Sequence, residues 1–396
     1  MMAWEMKDGI HNVGAVDWDR RLFDELIPLP DGTSYNAYLV RGSEKTALID
    51  TVDPTKEDEL FENLERTGVD RLDYVIPNHA EQDHSGTIPK VLERYPEAKV
   101  VTNGKCKEFL IDLLHIQDDK FQVVEDGETL SLGDRTLEFI IAPWVHWPET
   151  MLTYLREDRI LFSCDLFGSH LATSDKYVKD ESKVLEDAKR YYAEIMMPFR
   201  KLINGHLEKL RGYDIEVIAA SHGPLYDRPE SIMEAYRDWT SDDVKNEVVI
   251  AYVSMHGSTE RMVERFANTL IERGIRVRPF NLAGSDVGEL AMALVDAATL
   301  VVGTPTVLAG PHPAAVYAAY LANALRPKTR YATVIGSYGW GGRTVDQVKS
   351  MLQNLSVEFL EPVIVKGLPR ADDMRELDRL ADSILKKHQE HNIIGE

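Results

Sequence analysis

Apolar and polar positions alternate in two different rhythms along this chain, and the change of rhythm divides it. Through the first half, short β-type runs are separated by polar turns. Residues 35–40 and 46–50 flank Gly42-Ser43 and predict a hairpin, and a second hairpin over 130–141 turns at Gly133-Asp134. Leu60, Phe61 and Leu64 recur at helical spacing and predict a helix over 57–66; further strands are expected at 74–77, 99–102 and 121–124, with a helix near 108–114. Residues 184–210 read as one long helical stretch, followed by a strand over 215–220. After a polar break at Lys245-Asn246-Glu247, strands at 248–253, 276–280, 300–303, 331–337 and 359–365 alternate with helices over 260–273, 287–295, 314–324, 344–355 and 372–387. Strict strand–helix alternation predicts a doubly wound parallel sheet, which binds ligands at the carboxyl ends of its strands. Two domains, 1–245 and 246–396, are therefore expected within the 396 residues.

The ends of the first-half strands carry unusual chemistry. The run 74–77 leads into Asn78-His79-Ala80-Glu81-Gln82-Asp83-His84. On an extended backbone His79, Glu81 and Asp83 point to one side and His84 to the other, toward a second metal. A polar loop with two surface histidines would fit the same letters. Three further strands end similarly, however: one in Pro143-Trp144-Val145-His146-Trp147-Pro148, one in Cys164-Asp165, one in Ser221-His222-Gly223. A carboxylate following an apolar strand needs a partner, because burying it alone is costly. Together the four strand ends predict a metal site made of imidazoles and carboxylates. Carboxylates harden such a site toward iron or manganese.

In the second half, the strand at 248–253 runs into Ser254-Met255-His256-Gly257-Ser258-Thr259 and then a helix. Backbone N–H groups at that helix start, with two hydroxyls, suit a phosphate monoester. The loop is neither G-x-G-x-x-G nor a Walker motif, which disfavours dinucleotides and nucleoside triphosphates. Two more loops fall at strand ends: Pro305-Thr306-Val307-Leu308-Ala309 and Ser337-Tyr338-Gly339-Trp340-Gly341. A tryptophan among glycines suits a planar ring lying against it.

Composition narrows the class. The net charge of -21 and the lack of a basic stripe exclude a nucleic-acid binder. No apolar run reaches membrane-span length, and the first residues carry charges where a signal peptide needs an apolar core, so a soluble cytoplasmic protein is expected. Only two cysteines, Cys106 and Cys164, are present, with no Cys-x-x-Cys, so the chain holds no rubredoxin module of its own.

The first 245 residues resemble the metallo-β-lactamase superfamily, an αββα sandwich with a binuclear site at one rim, with Glu81 where its hydrolases usually carry a second histidine. The second half resembles flavodoxin, which implies FMN. The two together are similar to the flavodiiron proteins, on His79-x-Glu81-x-Asp83-His84, His146-Trp147-Pro148, Asp165-x-Phe167-Gly168, His222-Gly223, Ser254-Met255 with Ser258-Thr259, and Gly339-Trp340. That resemblance implies two irons, one held by His79, Glu81 and His146, the other by Asp83 and His222, with Asp165 bridging. His84 ligates in some members and swings away in others. A tyrosine close to the irons is implied, Tyr191 or alternatively Tyr192. The implied activity is reduction of O2 to water, of NO to N2O, or both, with electrons passed through FMN from rubredoxin or a reduced deazaflavin. A head-to-tail homodimer, or a dimer of such dimers, is implied as well. The loop at 306–310 departs from the family by lacking asparagines, which leaves open how the flavin ring edge is bonded. A binuclear zinc hydrolase and a flavodoxin-type electron carrier are the alternatives.

Overall fold

The computed structural model describes residues 2–393, so Met1 and positions 394–396, which the expected domain spans include, lie outside it. Contacts divide the chain into two units, the first reaching to Tyr191 and including Phe199–Thr240, the second comprising Tyr192–Pro198 and the chain from Ser241 onward.

The first unit stacks two sheets. One has seven strands in the order Trp4–Lys7, Ile10–Asn12, Tyr38–Arg41, Thr46–Ile49, Tyr74–Ile76, Lys99–Thr102 and Phe121–Val123. The other has five, Thr129–Ser131, Thr136–Ile141, Met151–Leu155, Ile160–Cys164 and Val217–Ala220. Tyr38, Val40 and Ile49 of the first meet Phe139, Met151 and Phe162 of the second in one buried core. Every residue of Met151–Leu155 and Ile160–Cys164 is buried. Strands covered on both faces read as unbroken apolar runs, whereas Thr136–Ile141 keeps most of its alternation. Both expected hairpins form: Tyr38–Arg41 pairs with Thr46–Ile49, and Thr129–Ser131 with Thr136–Ile141. The helix Glu57–Thr67 buries Leu60 and Leu64, carries three acids in its first turn and stops at Gly68, whose φ of 67° is left-handed.

The expected long helix over 184–210 is corrected to two helices, Glu181–Tyr191 and Arg200–Leu210. Between them lie a wider π-type turn, Tyr192–Met196, and a single 3-10 turn, Met197–Phe199. Pro198 supplies the reason: it has no N–H for the ladder and pushes the residue before it out of the helical region.

The second unit is built on one parallel sheet, in the order Arg276–Asn281, Lys245–Tyr252, Ala297–Val307, Tyr331–Tyr338, then the short pieces Glu358–Phe359 and Val363–Lys366, which both pair with Tyr331–Tyr338. Separate apolar clusters cover its faces, one centred on Phe266 and Leu377, the other on Leu294 and Ala319. Three expectations change. Lys245-Asn246-Glu247 open the first strand instead of breaking the chain. The last strand is split around Pro362. Thr304–Val307 continue a strand that turns at Leu308-Ala309 and pairs back through Gly310–Pro311. That turn places both residues at positive φ, 51° and 61°, a geometry normally signalled by Asn-Gly, so Leu-Ala gave no warning of it. Among the described residues no helix is long and apolar enough to cross a membrane.

The second unit also buries His388, on the helix Ala371–Glu390, between Asn246 and Thr299. Its Nδ1–H donates to Asn246 Oδ1 at 2.8 Å, and Thr299 Oγ1 lies 2.8 Å from Nε2, an arrangement that uses the neutral ring. Burial lowers its pKa from 6.5 to about 4. The unfolded chain therefore takes up a proton first as pH falls. The stabilisation is complete above pH 6.5 and is lost between 6.5 and 4, on the order of 3 kcal/mol in all. Urea unfolding of this unit, followed from pH 7 to 4.5, is expected to show that slope, and His388→Gln to flatten it. An unchanged slope in the variant would assign the pH dependence elsewhere.

Candidate functional site

The strand Tyr74–Ile76 delivers His79 to the rim between the two sheets of the first unit, but the backbone then does not stay extended. Glu81 is the last extended residue, and Gln82–Ser85 form a helical turn. The alternation expected for His79, Glu81 and Asp83 is therefore corrected: Asp83 is carried round with His84. Seven side chains converge in two groups, His79, Glu81, His146 and Asp165 in one, Asp83, His84 and His222 in the other, with the potential ligand atoms of each group within 4.8 Å of one another.

In the first group Glu81 Oε2 lies 3.1 Å from both His79 Nε2 and His146 Nε2. Asp165 faces both groups. Its Oδ2 is 3.6 Å from His79 Nε2, and its Oδ1 is 3.0 Å from His84 Nε2 and 3.4 Å from His222 Nε2. Asp83 Oδ2 lies 3.2 Å from His84 Nε2 and 3.3 Å from His222 Nε2. These separations allow ion pairing, yet the buried oxygens of Asp83 and Asp165 and both ring nitrogens of His84 lack hydrogen-bond geometry. Buried polar atoms without partners are expensive, and several of them aimed at one another describe a cation site. Electrostatics agrees. Burial opposes charge on His222, but Asp165 and Asp83 outweigh it and push its pKa up to about 10. Burial likewise opposes charge on His79, and Glu149 and Glu81 overcome it. Asp165 is held well below the carboxylate range by His84 and His222 despite its burial. A divalent cation would take the place of those protons.

The rings are oriented from behind. His222 Nδ1 donates to the Ser34 carbonyl at 2.6 Å, leaving Nε2 for the site. Gly223 follows at φ 85°, where a Cβ would collide with the Ser169 hydroxyl, so the turn after the ligand requires glycine. Tyr191 is buried, its ring 5.6 Å from that of His222. Burial and the nearby Asp165, Asp83 and Glu81 carboxylates hold its phenol protonated, well above the usual tyrosine range.

Four residues touching this cluster escaped the sequence reading. Glu149 accepts from His79 Nδ1 at 2.8 Å; being three residues past His146, it could have been suspected as an acid in a ligand loop. His170 is buried against His222 and Tyr191, with Nδ1 2.9 Å from Thr33 Oγ1. Asp50 binds the Asn78 backbone and side-chain amides. Asp24 sits on a left-handed turn at φ 50°, and burial together with Glu81 and Asp83 pushes its pKa up to about 6. His170 and Asp24 follow no ligand-type pattern in the sequence, whereas Asp50 stands directly after the apolar strand Thr46–Ile49, as Asp165 does after its own.

In the second unit a cleft of about 220 Å³ opens at the carboxyl ends of the strands. Ser254, Met255, His256, Ser258 and Thr259 line one side, and Pro305, Thr306, Ser337, Tyr338 and Gly339 the other, with Gly367 added by the structure. Gly257, Val307, Leu308, Ala309, Trp340 and Gly341 stand outside the lined volume. Leu308 and Trp340 are largely exposed, at 87% and 69%. The helix Ser258–Glu272 begins without a side-chain cap on Gly257, whose φ is 82°. Ser254 Oγ accepts from the Gly257 and Glu260 N–H groups, while Thr259 Oγ1 is buried and unpartnered. A helix start whose N-cap glycine has no side chain to offer, with an unused Thr259 hydroxyl beside it, fits an anion such as a flavin phosphate. Thr306 Oγ1 meets Thr344 Oγ1 at 2.8 Å and Arg343 N–H donates to Ala309 O, tying the hairpin to the tryptophan loop.

Comparison with known proteins bears on the family. Residues 33–223 match the family model described as ODP family beta lactamase, and residues 250–379 match that of flavodoxin. A nitric oxide reductase of Moorella thermoacetica is 36% identical over 95% of this chain and 96% of its own. A coenzyme F420H(2) oxidase of Methanothermobacter marburgensis is 33% identical over 94% of this chain and 95% of its own. Among solved structures, rubredoxin oxygen:oxidoreductase from Desulfovibrio gigas matches with a TM-score of 0.94 at 30% identity, covering 98% of this chain and 99% of that one. A metallo-β-lactamase-like unit followed by a flavodoxin unit, with relatives of this identity along nearly the whole length, means that the chain belongs to the flavodiiron proteins, oxidoreductases whose cofactors are a di-iron centre and FMN.

Proposed function

We propose that this protein reduces a small diatomic oxidant, NO to N2O, O2 to water, or both, at two irons in residues 1–245, with FMN bound in residues 246–396. The observation that carries this reading is the pair of ligand groups that Asp165 faces with its two oxygens, together with buried Asp83 and Asp165 oxygens that lack hydrogen-bond partners. In it, His79, Glu81 and His146 hold one iron, Asp83, His84 and His222 the other, and Asp165 bridges. Bound FMN would supply single electrons, and the irons would supply the positions at which the diatomic is held and reduced. The chain's own part is to fix the ligands, exclude water and supply a proton donor. Tyr191 takes that role by its place, buried with its ring 5.6 Å from that of His222. Ser258, Thr259 and the helix N-terminus hold the FMN phosphate. Trp340 and Met255, exposed beside the cleft, cover its ring.

The electron donor is an external protein or cofactor, a rubredoxin or a reduced deazaflavin of the F420H2 kind. Relatives named for each are similar to this chain. We assign the protein to the cytoplasm. We also propose a head-to-tail homodimer in which the flavin of one chain serves the irons of the other. Exposed apolar side chains support an interface on each unit: Trp18, Leu26 and Trp144 on the first, Met255, Leu308 and Trp340 on the second.

The decisive measurement is anaerobic stopped-flow oxidation of the reduced protein by NO and by O2, after metal analysis. Two irons and one flavin per chain, with flavin reoxidised at catalytic rates by either gas, are expected. Zinc in place of iron, or flavin that neither gas reoxidises faster than it does free flavin, would overturn the reading.

A further inference from the structure

We propose that Glu149 makes the two metal positions unequal, so that the ion held by His79, Glu81 and His146 is retained firmly and the ion held by Asp83, His84 and His222 leaves first. This rests on the di-iron reading above. A histidine ligand is strengthened when the nitrogen turned away from the metal donates to a strong acceptor, most of all to a carboxylate. His79 has that support. Its Nδ1 lies 2.8 Å from Glu149 Oε1, and both side chains are fully buried. The same oxygen accepts the Ala80 N–H at 3.1 Å, and the Glu149 carbonyl accepts from Asn103 Nδ2 at 2.6 Å, so the acid is itself fixed in place. His222 donates instead to a neutral carbonyl, that of Ser34. His84 Nδ1 is buried with no hydrogen-bond partner among the described residues. Asp50, the other buried carboxylate nearby, is engaged by the backbone and side-chain amides of Asn78. With Asp165 facing both, each position gathers four candidate ligands, and the difference lies behind them: a carboxylate backs a histidine of the first position, while among the described residues none is hydrogen-bonded to the outer nitrogen of His84 or His222.

Glu149 is a positioning residue, and its effect is read in iron release. Full-length, iron-loaded protein, reduced anaerobically, is challenged with excess ferrozine and the coloured ferrous complex is followed in time. The expected trace has two phases of equal size, one iron per chain in each. Glu149→Gln keeps the size and an acceptor for His79 but removes the charge. It is expected to quicken the slow phase by roughly 10–100-fold and leave the fast phase unchanged. A general loosening of the fold would quicken both. A second variant leaves Glu149 intact: His222→Asn should lack the fast phase and keep a slow one. A single phase releasing both irons from the unaltered protein, equal acceleration of both phases in Glu149→Gln, or a surviving fast phase in His222→Asn would each overturn the inference. Iron below two per chain before the challenge would instead overturn the di-iron reading.

Discussion

Asp165→Ala is expected to empty both metal positions while the flavin stays bound. Asp165 follows directly on the buried strand Ile160–Cys164 and is itself fully buried. Among the seven convergent side chains it is the one whose two oxygens face different groups, Oδ2 toward His79 and His146 at 3.6 and 3.7 Å, Oδ1 toward His84 and His222 at 3.0 and 3.4 Å. Alanine therefore removes a ligand from both positions at once and takes a negative charge from between two cations. Changes one layer further out commonly cost 10–100-fold in metal affinity, so the loss here should exceed about 100-fold at each position. Elemental analysis should show iron falling well below one per chain with flavin near one, and turnover with NO or O2 should vanish with the iron. Two irons and unreduced turnover in the variant would remove Asp165 from the centre.

The second large effect is expected from Ser258→Asp combined with Thr259→Asp, which should expel FMN and leave the iron. Both residues open the helix Ser258–Glu272, where acidic side chains are favourable for the helix itself, so the unit should still fold. The same charges stand where the phosphate must sit. At a separation of about 4 Å and an effective dielectric near 20, one such repulsion is worth roughly 4 kcal/mol, or about a thousandfold in affinity. Thr259 Oγ1, buried and unpartnered, is also lost as a donor. Flavin content read from the visible spectrum measures the effect, and full retention would show that the phosphate binds elsewhere. The two variants together test the proposed dimer. A mixed dimer of an iron-free and a flavin-free chain keeps one working flavin–iron couple only if the couple is formed between chains. Activity is expected to reappear on co-expression, and an inactive mixture containing verified mixed dimers would exclude the crossed arrangement.

Much of this protein is local, and what is local is legible in the sequence. Leu60 and Leu64 at helical spacing, with acids before them and Gly68 after, define a helix without reference to anything distant. The hydroxyl-bearing helix start at Ser258-Thr259 after an apolar strand suggests an anion site by the same kind of short-range logic. Metal-type side chains at four strand ends could likewise be seen, because a strand's direction carries its last residue to the sheet rim. What periodicity could not supply, and only the resemblance to a family implied, was how those side chains divide. An extended backbone would have grouped Asp83 with His79 and Glu81. The chain instead turns helical at Gln82, and Asp83 meets His222, brought in by a strand of the other sheet. Glu149 behind His79, and the Ser34 carbonyl behind His222, are also contacts between segments far apart in the chain. The hairpin at Leu308-Ala309 is local in position, but its left-handed turn lacks the residues that normally announce one, so pairing with Gly310–Pro311 and the Ala309–Arg343 bond had to impose it. The sequence determines which chemistry reaches each sheet edge, since periodicity and capping act over a few residues. Only the packing of distant strands decides which of those groups share an ion, because that depends on distances no local rule contains.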